Sequence, residues 1–251
     1  MLAAFADIPL AQLLLVAGVA LFASTVGGVA GYGTGALMPL VLVPMVGAEP
    51  VVPMIAISAL LINVGRATAF RAYIDRRRGW IVLIAAIPTC IVSAYGYTKL
   101  TGAGAMLVIG AMLVATVPLR YLLKRRAIRF GDRGLVIGAV GYGAAVGGTV
   151  GAGIVLLSIL MAAGLEGAAV VATDAAISIA IGLVRLTVFG VSGIVTAQVL
   201  AFALLIGLVS LPGAFLARIL VERMPVHVHT AILDVVVVIG GAVLVAGAFT
   251  R

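Results

Sequence analysis

Residues 134–217 read GLVIGAVGYGAAVGGTVGAGIVLLSILMAAGLEGAAVVATDAAISIAIGLVRLTVFGVSGIVTAQVLAFALLIGLVSLPGAFLA, and in these 84 residues the only charges are Glu166, Asp174 and Arg185. About a quarter of the residues in a soluble domain are charged. A water-facing surface cannot be built from this stretch, which excludes a soluble enzyme. The remainder of the chain agrees, because 64% of its 251 residues are hydrophobic and 10% are charged. The sequence specifies an all-α integral membrane protein.

A bilayer span takes about 20 apolar residues. Apolar segments fall at 8–30, 34–47, 50–72, 80–98 and 103–122, then at 134–150, 153–164, 168–190, 195–216 and 226–249. The second and seventh are short for a full crossing, and each follows a glycine cluster: Gly27 to Gly35 in the first half, Gly147 to Gly153 in the second. The clusters lie 120 residues apart, and sliding residues 15–74 by that distance gives 18 identities in 60. Chance in so biased a composition would give roughly seven, so an internal repeat is present. Identical pairs include Gly27/Gly147, Gly31/Gly151, Gly33/Gly153, Gly47/Gly167 and Ser58/Ser178.

Charge decides the relative orientation of the copies. The loop from Arg71 to Arg78 is strongly basic, whereas its counterpart from Phe189 to Thr196 carries no charge. The loop from Lys99 to Gly104 has one lysine, and its counterpart holds Arg218 and Arg223. Basic loops face the cytoplasm, so the second copy is expected upside down. The organisation is then a first membrane repeat (1–122), a basic cytoplasmic linker (123–133) and a second, inverted repeat (134–251). Inverted repeats with interrupted helices are a design of secondary transporters. A passive channel of the same fold and a non-transporting scaffold are the alternatives.

The helix interruptions are the first candidate site. Glycine permits unusual backbone angles, and the start of a short helix presents free N–H groups and the positive end of its dipole to an anion. Gly31, Gly33, Thr34 and Gly35 supply one such start, and Thr149, Gly151 and Gly153 the other. Close helix packing through small residues is the competing explanation for the glycines. For the hydroxyls of Ser24, Thr25, Thr34 and Thr149 it is bonding within their own helices.

Ser58 and Ser178 occupy equivalent places in the third segment of each copy, with Arg66 and Arg185 about two turns beyond. Inversion sends these arginines to opposite mouths, where each would attract an anion. Asp174 is a membrane carboxylate, costly and so expected at a cavity, a partner or a proton path. It shares a helix face with Ser178 and Arg185, but about 16 Å of rise separates it from Arg185, too far for a direct pair. A coupling proton is its candidate load. Glu49 and Glu166 are expected at helix starts, and Asp234 near an interface.

Other chemistries find no support. No Ser/His/Asp set, metal-spaced cluster or phosphate loop occurs, so neither an enzyme nor a cofactor is expected. Cys90 is the single cysteine, and His227 and His229 sit at a helix entrance without companion ligands. The positive net charge of +8 lies in loops between spans, which favours the bilayer over nucleic acid as its partner. Asp7, in place of a basic leader, marks the first segment as an uncleaved helix with a non-cytoplasmic start.

Two copies of a glycine-cluster break, a short apolar segment, a Gly-x-x turn and a Ser-containing helix run from Gly27 to Ser58 and from Gly147 to Ser178. With the basic loop and Trp80 that follow the first copy, this pattern resembles the TauE/SafE sulfite exporter family, also called the toluene sulfonate uptake permease family (TSUP), along essentially the whole chain. The resemblance implies transport of sulfite, sulfonates or other organic anions, in a bacterial inner membrane. The second copy has Gly151-Ala152-Gly153-Ile154 where that family commonly has a longer glycine run, and Asp174 and Arg185 stand as features of this branch.

Overall fold

The computed structural model describes residues 5, 8–30, 33–125, 129–221 and 226–250, which form ten α-helices joined by short turns. They are α1 (Leu10–Ala30), α2 (Gly33–Val46), α3 (Val51–Ala69), α4 (Arg76–Tyr97) and α5 (Gly102–Arg125). The second half contributes α6 (Asp132–Gly148), α7 (Gly153–Ala162), α8 (Ala168–Val191), α9 (Ala197–Val221) and α10 (Val226–Thr250). A 3-10 turn, Arg71–Tyr73, stands between α3 and α4. Asp7, Gly31, Arg126 and Arg223 lie outside the described residues, as do the side chains of His227 and His229.

The expected segments match these helices closely, and the differences have physical causes. The fourth begins at Arg76, four residues early, because Asp75 caps it: its carboxylate accepts from the Arg78 backbone N–H at 2.9 Å. That bond satisfies an N–H with no intrahelical partner and draws Arg76, Arg77 and Arg78 out of the loop into the first turn. Glu49 and Glu166 stand directly before the residues that open α3 and α8, at helix starts as expected, and neither supplies a side-chain cap. The helices α3 and α8 open behind Pro50 and Gly167, with no side-chain cap at either. The turns ahead of them use left-handed glycines instead, Gly47 at φ 82° and Gly167 at φ 53°. These are equivalent positions in the repeat, and a side chain there would be strained.

The surface is apolar, and the largely hydrophobic interior holds a few polar groups. Trp80, Ile84 and Val92 of α4 are exposed, whereas Ser58, Thr173, Asp174 and Arg185 are buried. Lipid suits such an apolar exterior, while water does not. Among the described residues α3, α4, α5 and α8 are each long and apolar enough to cross a membrane, and α2 and α7 are short, at 14 and 10 residues. The chain is a multi-pass membrane protein.

The core divides into two clusters. One joins α1, α2, α3 and α9 with parts of α5 and α10 and single ends of α4, α7 and α8; the other is built mainly of α4, α6, α7 and α8. Each half therefore lends its fourth helix to the other half. Exchanging α1–α5 with α6–α10 maps the packed pairs onto one another: α1 on α9 becomes α6 on α4, α3 on α9 becomes α8 on α4, and α2 on α10 becomes α7 on α5. The pairs α3 with α8 and α5 with α10 map onto themselves.

Both self-mapped pairs run antiparallel. Arg66, late in α3, meets Asp174, early in α8, at 3.2 Å. At the other end, Tyr97 donates to the Ala48 carbonyl just before α3 while its ring lies 6.1 Å from that of Phe189, late in α8. In the second pair Gly110 abuts the Gly241 backbone and Tyr121 bonds Asp234 at 3.2 Å. A two-fold exchange that sets equivalent helices antiparallel has its axis across the helices, not along them.

Candidate functional site

Between α6 and α7 the backbone leaves the helix. Thr149 is extended, at φ −135° and ψ −177°, and Gly151 follows at φ 82°, a left-handed angle that a residue with a β-carbon resists. Gly153 then opens α7. The start of α2 is laid directly against this break: a β-carbon on Gly35 would stand 3.0 Å from the Gly151 nitrogen and 3.3 Å from its Cα. Two short-helix starts, Gly33–Thr34–Gly35 and Gly151–Gly153, are thus brought together.

Arg185 comes to the same place from α8. It is 6% exposed, and Nη2 donates to the Thr149 carbonyl at 3.0 Å. Its guanidinium carbon lies 5.7 Å from the Phe189 ring centroid, and its Nε has no hydrogen-bond partner among the described residues. Among the described residues no carboxylate forms a salt bridge with it. Burying a charge without a counter-charge costs several kcal/mol. Nε and the first N–H groups of α7 are of the kind that can donate to an anion. The Thr149 hydroxyl points away from this space, onto the Ala145 carbonyl of its own helix.

The other candidates fall elsewhere. Ser58 is buried and donates to the Ile55 carbonyl at 3.0 Å. Ser24 and Thr25 both turn back to the Leu21 carbonyl. Thr34 is half-buried at the second position of α2. Ser178 is half-buried on α8.

Arg66, expected as a free cation at one mouth, is instead paired. Its Nη1 sits 3.2 Å from Asp174 Oδ2 and donates to Asn63 Oδ1 at 3.1 Å. Asn63 is itself fixed by a bond from its amide to the Ala59 carbonyl at 3.0 Å. Next to Asp174, Thr173 Oγ1 accepts from the Asp75 backbone N–H at 3.0 Å, which ties the start of α8 to the start of α4. Asp234, expected near an interface, is buried beside Tyr121.

Two features were not foreseen from the sequence: the Arg66–Asp174 pair, and the placing of Tyr97 against Phe189, whose ring also faces Arg185. The signal for the second was a tyrosine inside an apolar helix, since a buried phenol needs a polar partner.

Comparison with known families finds a match of residues 16–244 to the model described as sulfite exporter TauE/SafE. Neither the curated proteins nor the solved structures yield a match.

Proposed function

The chain belongs to the sulfite exporter TauE/SafE family, and from that premise we propose that it carries a small anion across the cytoplasmic membrane by alternating access, seating it at the break between α6 and α7. One observation carries this reading: a buried arginine with an open Nε lies beside an interrupted helix, and a second short helix begins against that interruption. Sulfite and sulfonates are the substrates to test first, in keeping with the family's description.

In this reading residues 1–122 and 134–251 are two copies of opposite orientation, joined by the basic linker 123–133 on the cytoplasmic side. The antiparallel courses of α3 with α8 and of α5 with α10 support it, because copies of like orientation would set equivalent helices parallel. Backbone groups at Gly33, Thr34, Gly35, Gly151 and Gly153 hold the anion, and Arg185 supplies the charge. Arg66 and Asp174 form a second charged centre at the cytoplasmic end, where a proton on Asp174 frees Arg66 for the passing anion. Ser58 and Thr149 keep their hydroxyls on their own helices in this state.

Thermal unfolding of detergent-purified protein with sulfite, methanesulfonate or acetate tests the seat. A bound anion at a hundred times its Kd stabilises by about 2.7 kcal/mol, and Arg185→Met is expected to lose that stabilisation. Anion flux into proteoliposomes, with and without a proton gradient, then tests transport. Equal anion stabilisation and equal flux in Arg185→Met would remove the seat.

A further inference from the structure

The start of α2 lies against the α6–α7 break. Its 14 residues carry the chain about 20 Å from there, to a left-handed turn at Gly47 followed by Ala48 and Glu49. Tyr97, the last residue of α4, touches both the break and this turn. Its hydroxyl donates to the Ala48 carbonyl at 2.7 Å, with the Glu49 carbonyl 3.2 Å away. A β-carbon on Gly148, the residue just before the break, would stand 3.4 Å from the Tyr97 Cβ. The Tyr97 ring meets Phe189 edge-on, with centroids 6.1 Å apart, and the Phe189 ring lies 5.7 Å from the Arg185 guanidinium carbon.

We propose that Tyr97 and Phe189 form the lid of the anion seat on the face that carries Glu49 and Ser192, and that the Tyr97 hydroxyl is the pin that must release Ala48 before the seat opens there. This rests on the anion seat proposed above and adds how one of its two exits is closed. Tyr97 is a positioning residue in it, acting through Phe189 and the turn that ends α2.

Burial sets the two rings between the seat and that face. Phe189 is 0% and Tyr97 4% exposed, whereas Glu49, Lys99 and Ser192, on the three turns around them, are exposed. Along α8 Phe189 comes one turn after Arg185 and just before the exposed turn at Ser192, so an anion leaving Arg185 toward this face must pass it. The pin is also built to let go. The Ala48 carbonyl accepts a second bond, from the Val51 N–H at 3.2 Å, so release of Tyr97 does not orphan it. The freed phenol needs a new polar partner, and water entering from the opened face supplies one. Its release then costs about one net hydrogen bond, within reach of a population shift driven by an anion.

The fastening is one-sided. The corresponding end of α9, residues 211–221, contains no hydroxyl side chain, so α9 offers no equivalent pin for the turn that ends α7. The opposite end of the α3–α8 pair is held by the Arg66–Asp174 ion pair instead. With one exit closed by a phenol and rings and the other by charge, either can be loosened without the other.

Side-specific thiol chemistry tests the lid. Thr34→Cys in a Cys90→Ala background places one thiol at the seat, and 2-sulfonatoethyl methanethiosulfonate, an impermeant anion, reports how often the seat opens to each face of sealed vesicles. The reaction is expected to be slow from the face where Glu49→Cys itself reacts, and slower still with methanesulfonate present. Adding Tyr97→Phe is expected to speed it about two- to tenfold from that face, the effect of one net hydrogen bond, and to leave the rate from the opposite face unchanged. A merely structural role for the phenol would loosen both faces together. That result overturns the lid, as does an unchanged rate in Tyr97→Phe, or a Thr34→Cys thiol that reacts as fast as Glu49→Cys before the pin is removed. If Tyr97→Phe does not fold, Phe189→Leu is read by the same criteria. A thiol that methanesulfonate does not protect overturns the seat and the lid with it; a protected thiol whose rate ignores Tyr97→Phe overturns the lid alone.

Discussion

Arg66 and Arg185 are both arginines within apolar helices, yet they solve the cost of their charge differently. Arg66 has a carboxylate; Arg185 has one carbonyl and an open nitrogen. The Arg66–Asp174 pair is itself lopsided, since the arginine side chain is 30% exposed and the aspartate 6%. Removing the arginine strands a buried carboxylate, whereas neutralising the aspartate leaves a cation with access to polar surroundings. Arg66→Ala is expected to cost about 3–5 kcal/mol, the range for one lost partner of a buried pair, and Asp174→Asn clearly less. Thermal unfolding of the two variants checks the order, and equal losses would contradict it. None of this pairing was legible in the sequence, because its members stand far apart in the chain and their helices could have met in many ways. The Asp75 cap makes a pH-dependent contribution outside the membrane segments. The Arg78 backbone N–H, aided by the Arg78 guanidinium, holds its carboxyl below the usual carboxylate range. A lowered folded-state value means that the stabilisation is complete above the unfolded value near about pH 4 and is lost as pH falls through the folded one. Asp75→Ala is expected to cost about 1 kcal/mol at pH 7, with the gap to wild type closing below about pH 4. Unfolding curves across pH 3–7 measure this, and a gap that stays constant would rule out the ionised cap.

At the scale of helices, α4 and α6 run parallel with almost no space between their backbones. A β-carbon on Gly143 would strike the Ala86 carbonyl and Thr89 Oγ1; one on Gly147 would strike Ser93 Oγ and the Cys90 carbonyl. Backbone atoms cannot step aside as a flexible side chain can. Gly141, two residues earlier, has nothing within 4 Å. Gly143→Ala is therefore expected to destabilise by about 1–3 kcal/mol through overpacking, while Gly141→Ala should be neutral or stabilise by up to about 1 kcal/mol from helix propensity. Unfolding of the two single variants decides, and a tolerated Gly143→Ala would mean that α4 and α6 stand further apart. The helices themselves were largely legible, since apolar runs between turn residues locate a span whatever it packs against. Their partners were not. An apolar stripe carries no address, so nothing in the composition of α4 says that it belongs with α6, or that α9 belongs with α1.

For the whole molecule, the repeat in the sequence becomes an exchange of neighbours in space, and the antiparallel mates give that exchange a direction. The end of α3 and the start of α8 share one side, joined by Arg66–Asp174 and by the bond between Asp75 and Thr173. The start of α3 and the end of α8 share the other, joined through Tyr97. Side-specific labelling turns this into an experiment. Cys90 is buried, and replacing it by alanine gives a background without thiols. Into it go single cysteines at the exposed positions Tyr73, Glu166, Glu49 and Ser192. In right-side-out vesicles treated with a membrane-impermeant maleimide, Glu49→Cys and Ser192→Cys are expected to react at once. Tyr73→Cys and Glu166→Cys should react only after permeabilisation if, as proposed, the basic turn beside Tyr73 faces the cytoplasm. Joint labelling of Tyr73→Cys and Ser192→Cys from one side would place both ends of the α3–α8 pair on the same face. Antiparallel mates would then no longer imply inverted copies, and alternating access through the seat at Arg185 would lose its geometric basis.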